Sequence, residues 1–248
     1  MRRTVAYSLC GVLTVALSIA VAGFAYCRTA TSAVSRLKAL GGEIFVDPAN
    51  RDTPAILYDV ERALGNFSRF DRVMGVRVAG DQFGDEEFAL IGGFDRLEQL
   101  YVSNCKATEA GWNSLRNLKK LRHIEIHGAC VSDESLCFLS TTTSISWLDI
   151  ESDCTTGSFL DSLNCWQSLE TVRIRSRAFS DKGVDRLRRG ERLTGVYILD
   201  TSITDRSLKT LQELAGLEEL TVRGTEFTPN GIETFRAGRP EVRMTILK

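Results

Sequence analysis

With 248 residues, 43% apolar and 25% charged, the chain has the balance of a folded globular protein and not of a disordered one. A formal net charge of -1 supplies no basic face for phosphates, so no nucleic-acid partner is expected. Seven cysteines occur without C-x-x-C spacing beside histidines, so no zinc site is expected.

The first element is an apolar segment. Met1-Arg2-Arg3 precedes Thr4 to Tyr26, a stretch without charge that ends before Arg28. As a helix it would cover roughly 34 Å, enough to cross a hydrocarbon core of about 30 Å. Two readings stay open. An uncleaved signal-anchor uses the whole length, with Tyr26 and Arg28 at the interface. A cleaved signal peptide would instead be cut after Ala20-Val21-Ala22, releasing a secreted or periplasmic protein. Residues 1–28 are thus expected to form a membrane anchor or signal, with the remainder outside the cytoplasm.

Residues 29–72 read as a capping segment. Val34, Leu37 and Leu40 share one helical face over residues 31–40, and Gly41-Gly42 ends that helix. Glu43 to Asp47 is expected as a short strand, and Thr53-Pro54 opens a second helix to about Leu64.

From Val73 to the end the sequence returns on itself every 24 residues without insertion or deletion. One apolar column reads Val76, Leu100, Ile124, Leu148, Val172, Val196, Leu220 and Met244. A second, two residues on, reads Val78, Val102, Ile126, Ile150, Ile174, Ile198, Val222 and Ile246. Their period of two and β-branched content mark a strand in each unit. The later half of each unit has helical spacing, with pairs such as Phe88/Ile91, Trp112/Leu115 and Leu208/Leu211. A hydroxyl precedes nearly every such helix, at Thr108, Ser132, Thr156, Ser180, Thr204 and Thr228, and these are N-cap candidates. Asp133, Asp181 and Asp205 then suit the positive end of the helix dipole. One unit cannot bury its apolar face alone, whereas seven stacked units and a terminal strand can.

Leu193-Thr194-Gly195-Val196-Tyr197-Ile198 followed by Thr201-Ser202-Ile203-Thr204-Asp205 resembles a leucine-rich repeat of the ribonuclease-inhibitor-like, cysteine-containing type. The resemblance implies an α/β solenoid over residues 73–248: a horseshoe with a parallel concave β-sheet and short convex helices, here preceded by one transmembrane helix. Anchor, cap and repeats together resemble planctomycete-like bacterial envelope proteins. Gly157 departs from the pattern, standing where an acidic residue is usual.

The residues flanking the core columns point away from the helices. They place Tyr101, His123, Glu125, His127, Trp147, Asp149, Glu151, Arg173, Arg175 and Tyr197 on the concave face. Both histidines fall in His123-Ile124-Glu125-Ile126-His127. Their i, i+4 spacing in a strand separates them by about 13 Å, too far to share one ion. A charge step follows. Residues 145–168 carry Asp149, Glu151, Asp153 and Asp161 and no base, while residues 169–192 carry eight bases and four acids. In register, Asp149 should face Arg173, Glu151 should face Arg175 and Asp153 should face Arg177. Solvated, each pair is worth under ~1 kcal/mol; as a divided surface, they would select a partner. Trp147, Tyr101 and Tyr197 are the aromatic types that dominate binding hot spots. Cys130 and Cys154 occupy one position in adjacent units, with α-carbons expected roughly 5 Å apart and within disulfide reach.

No nucleophile elbow, phosphate loop, dinucleotide fingerprint or H-E-x-x-H stands in the chain, so no enzyme and no cofactor are expected. The leading expectation is binding of another protein or an envelope polymer on the concave sheet. A self-associating structural role in the envelope is the alternative, and a metal-dependent enzyme at His123 and Glu125 is a third.

Overall fold

The computed structural model describes residues 32–47, 72–128 and 130–247. The apolar segment 4–26 and the helix expected over 53–64 lie outside these residues. Among the described residues, no helix is long and apolar enough to cross a membrane.

Helix α1 spans residues 32–39 and buries Ala33, Val34 and Leu37, with Leu40 partly covered beyond its end. Gly42 then donates its N–H to the Leu37 carbonyl, closing the helix at the glycine pair. Strand β1, Glu43–Asp47, pairs antiparallel with β2, Arg72–Ala79. Seven further strands follow in sequence order and in parallel: β3 (Gln99–Ser103), β4 (His123–His127), β5 (Trp147–Glu151), β6 (Thr171–Arg175), β7 (Gly195–Leu199), β8 (Glu219–Arg223) and β9 (Arg243–Leu247). Each residue pairs with its equivalent one unit later, as Leu100 with Ile124 and Ile124 with Leu148. The chain therefore forms a leucine-rich-repeat-like α/β solenoid.

The core is one continuous cluster. Both apolar columns are buried from Val76 to Leu220 and from Val78 to Val222, and Phe83, Phe88, Phe138, Phe179 and Phe235 fill the space toward the helices. Those helices are α2 (Asp85–Ile91), α3 (Glu109–Ser114), α4 (Asp181–Arg186), α5 (Asp205–Gln212) and α6 (Pro229–Gly238).

The third and fourth units differ. Their connections are 3₁₀ helices, Ser135–Thr141 and Ser158–Ser162. Local hydroxyls account for this: Ser140, Thr141, Thr142 and Ser162 each donate to the carbonyl three residues back, at 2.7 to 2.9 Å. Such bonds compete with the α-helical ladder. Gly157 has φ of 89°, a left-handed conformation that disfavours any side chain. A Cβ there would also lie 2.5 Å from the Phe179 ring. The missing acidic residue thus reflects a turn that only glycine fits.

The acidic residues after the caps do more than face a dipole. Asp85, Asp133, Asp181 and Asp205 each accept the backbone N–H and the hydroxyl of a threonine 23 residues later: Thr108, Thr156, Thr204 and Thr228. Where Glu109 and Gly157 replace the aspartate, the next unit carries Ser132 or Ser180, and neither bond forms among the described residues. Thr108, Thr204 and Thr228 also cap their own helices, whereas the Ser180 side chain makes no cap bond. Each aspartate is therefore a staple between neighbouring units.

Candidate functional site

Parallel strands in register bring equivalent side chains into rows across the sheet face opposite the helices. In β3, β4 and β6 the two column residues are buried and their neighbours are partly exposed or exposed. Two rows result.

The first is a stack of rings and guanidinium groups. The Arg77 guanidinium carbon lies 4.7 Å from the Tyr101 ring centre, and Tyr101 lies 5.1 Å from His123. His123 stacks on Trp147 at 5.5 Å with ring planes only 4° apart. Arg173 continues the row, 5.9 Å from Trp147 and 5.2 Å from Tyr197. Because neighbours come from strands on either side, both faces of Tyr101 and of Trp147 are covered. Tyr101, Trp147 and Tyr197 themselves are partly exposed. Two donors in this row, Trp147 Nε1 and Arg173 Nε, are buried without a hydrogen-bond partner among the described residues.

The second row is ionic. His123 Nε2 lies 2.7 Å from Glu125 Oε1 on the same strand. His127 Nε2 and Arg173 Nη1 hold the two oxygens of Asp149 at 3.2 and 3.1 Å, and the Asp149 side chain is only 2% exposed. Arg175 bridges Glu151 at 2.9 Å and Asp200 at 2.7 Å, and Arg223 reaches the same Asp200 oxygen at 2.7 Å. Hydrogen bonding to Asp149 raises the His127 pKa against its burial. The Arg223 hydrogen bond, joined by Arg175, holds the Asp200 carboxyl below its ordinary range. Burial raises the Tyr101 and Tyr197 hydroxyl pKa values, with Glu125 adding at Tyr101 and a hydrogen bond with Glu219 adding at Tyr197.

The ten residues singled out in the sequence thus all belong to these two rows. Of the three expected cross-strand pairs, Asp149–Arg173 and Glu151–Arg175 close. Asp149 is not the solvated partner expected, since it is buried between the His127 ring and the Arg173 guanidinium. Asp153 and Arg177 form no ion pair within 4.0 Å; Asp153 Oδ1 meets only the Arg177 backbone N–H, at 3.4 Å. The sequence reading missed Asp200, and a signal for it exists. The turn after each strand reads Gly80, Asn104, Gly128, Ser152, Ser176, Asp200, Gly224, and five of these have positive φ. Asn, Asp and Gly tolerate that conformation, and only Asp200 brings a charge.

A hollow of about 180 Å³ opens in the face, lined by Arg77, Tyr101, Ser103, Glu125 and His127 among others. His123 and Glu125 bond each other, and among the described residues no group of three or more His, Cys, Asp or Glu is placed to hold a metal ion. Cys130 and Cys154 are joined as a disulfide, with α-carbons 5.4 Å apart. Cys105, Cys137 and Cys165 are free among the described residues; burial pushes the Cys105 and Cys165 thiols up to about 11.

No protein-family model matches the chain, and no curated protein matches it. Among solved structures it is similar to an internalin C2 from Listeria monocytogenes, at 16% identity and a TM-score of 0.47, over 78% of this chain and 93% of that one. It is also similar to an internalin, inlF, of the same organism, at 15% identity and a TM-score of 0.36, over 63% of this chain and 36% of that one.

Proposed function

We propose that the open face of the sheet binds a polypeptide partner, through the row from Tyr101 to Tyr197 and the ion pairs beside it. The observation that carries this reading is the coverage of the aromatic faces. A sugar polymer would stack on a bare ring, and here Tyr101 and Trp147 are covered on both sides by Arg77, His123 and Arg173. A ring flanked on both faces meets a partner through its edge, which carries the positive rim of the aromatic quadrupole and suits carbonyl and carboxylate acceptors. The unpaired Nε1 of Trp147 and Nε of Arg173 are further donors that a partner's carbonyls would satisfy once the side chains turn. Internal ion pairs keep the face near neutral, which favours shape and hydrogen bonding over bulk charge as the basis of selection.

The test is crosslinking capture from the native envelope with the full chain and with Trp147→Ala plus Tyr101→Ala. Loss of a captured protein in the double variant is the expected result. Retention of every captured protein would sink the reading.

A second reading is self-association. Strand β9 lies at the edge of the described sheet and exposes Ile246 and Leu247, by 44% and 42%. An open strand edge accepts another strand. Concentration-dependent sedimentation of the full chain that disappears in Ile246→Lys would favour it. We further infer that residues 4–26 hold the repeats at or beyond a membrane, which the mass of the mature N-terminus and membrane fractionation test together.

A further inference from the structure

The open third rung of the ionic row stands beside a cleft. The cleft encloses about 360 Å³ where β4 to β7 end, and its walls include Cys130, Asp153, Cys154, Arg175 and Arg177. Two neighbouring carboxylates, Glu151 and Asp200, are already engaged by Arg175. The Arg177 guanidinium and the Asp153 carboxylate have no ion-pair partner among the described residues: both residues are exposed, and their one link there runs through the Arg177 backbone N–H. The Cys130–Cys154 disulfide forms part of the same wall, with Cys130 exposed. Among the described residues, one cleft therefore offers a free cation, a free anion and a disulfide whose Cys130 is exposed.

We propose that this cleft docks a low-molecular-weight thiol bearing an α-ammonium and an α-carboxylate, and that the thiol exchanges with Cys130–Cys154. The ligand's carboxylate sits on Arg177 and its ammonium on Asp153, which closes the rung. Its thiolate attacks the Cys130 sulfur. A ligand–Cys130 disulfide forms, the Cys130–Cys154 bond breaks, and the electron pair leaves on Cys154 as a thiolate. A second thiolate attacks the ligand sulfur of the mixed disulfide, releasing Cys130 as a thiolate and the ligand as its own disulfide. Two thiols are oxidised and one protein disulfide is reduced. Cys105 and Cys165 do not compete, since both are buried.

The experiment compares L-cysteine with 2-mercaptoethanol, which has no charged groups, on the oxidised full chain at matched thiolate concentration. Mixed disulfides are located by peptide mass mapping. The expected result is an adduct on Cys130 that forms roughly tenfold faster with L-cysteine, a ratio worth about 1.4 kcal/mol. In Arg177→Gln plus Asp153→Asn the ratio should fall to parity. The ratio cancels any general change in disulfide reactivity or folding. Equal rates in the native chain, a preference that survives in the double variant, or an adduct confined to other cysteines would overturn the proposal.

Discussion

His127 Nε2 lies 3.2 Å from Oδ1 of Asp149, a carboxylate only 2% exposed and shared with Arg173 on the next strand. The hydrogen bond to Asp149 raises the folded-state pKa of His127. A raised histidine contributes stability that is fully present below its unfolded value of about 6.5 and is lost as pH rises through the folded value. His127→Gln should therefore cost most below about pH 6.5 and progressively less above the folded value. Chemical denaturation of both proteins from acidic to mildly basic pH measures the difference; a gap that widens with rising pH would contradict the pairing.

Asp133 tests the staple between units. Its carboxylate accepts from Thr156 N and Oγ1, Gly157 N and Phe159 N, at 2.7 to 3.1 Å. Asp133→Ala leaves those donors unpaired, the Gly157 and Phe159 N–H groups at a buried site, and should cost roughly 3 kcal/mol. Glu109→Ala, at the equivalent place without a staple, should cost under about 0.5 kcal/mol. Burial opposes ionisation of Asp133, yet the bonds from Thr156 and Phe159 outweigh it and lower its pKa. The staple's contribution is thus present above the ordinary value of about 3.9 and is lost as pH falls through the folded one. Asp133→Asn should remove that acid-dependent loss. Urea unfolding of the three variants is the measurement.

Gly157→Ala adds two faults at once. The residue has positive φ, and its Cβ would meet the Phe179 ring, which is fully buried and also touches Gly183. A loss of about 2 kcal/mol or more is expected in urea unfolding. A neutral result would mean that the turn after β5 is not left-handed.

The disulfide closes a sequence separation of 24 residues between neighbouring units. Cys130→Ser plus Cys154→Ser should lower stability by roughly 3 kcal/mol on the chain-entropy account. Unfolding midpoints with and without reductant check it, because the double variant should no longer respond at this site.

The parallel sheet, its register and the rows on its open face were legible in the sequence, for one physical reason. An unbroken 24-residue period puts each residue beside its equivalent, so Asp149 beside Arg173 follows from counting. Side-chain reach does not follow from counting. Asp133 reaches forward to Thr156, His127 reaches across to Asp149, and Arg175 turns past its own rung to Asp200. Asp153 and Arg177 share a rung yet do not pair as ions; the Asp153 carboxylate accepts the Arg177 backbone N–H instead. The 3₁₀ connections of the third and fourth units were hidden for a related cause. Their apolar spacing is helical, and hydroxyl groups at Ser140, Thr141 and Ser162 decide the tighter winding.

Whether a polypeptide lies along the row from Tyr101 to Tyr197 is tested most directly by hydroxyl-radical footprinting of the full chain, free and bound to its captured partner protein. Trp147 is the informative probe, since Trp112 and Trp166 are buried at 2% and 6% exposure. Binding is expected to protect Tyr101, Trp147 and Tyr197 together while labelling of helices α2 to α6 stays unchanged. Protection of those helices, with the three aromatic residues labelled as in the free chain, would contradict it.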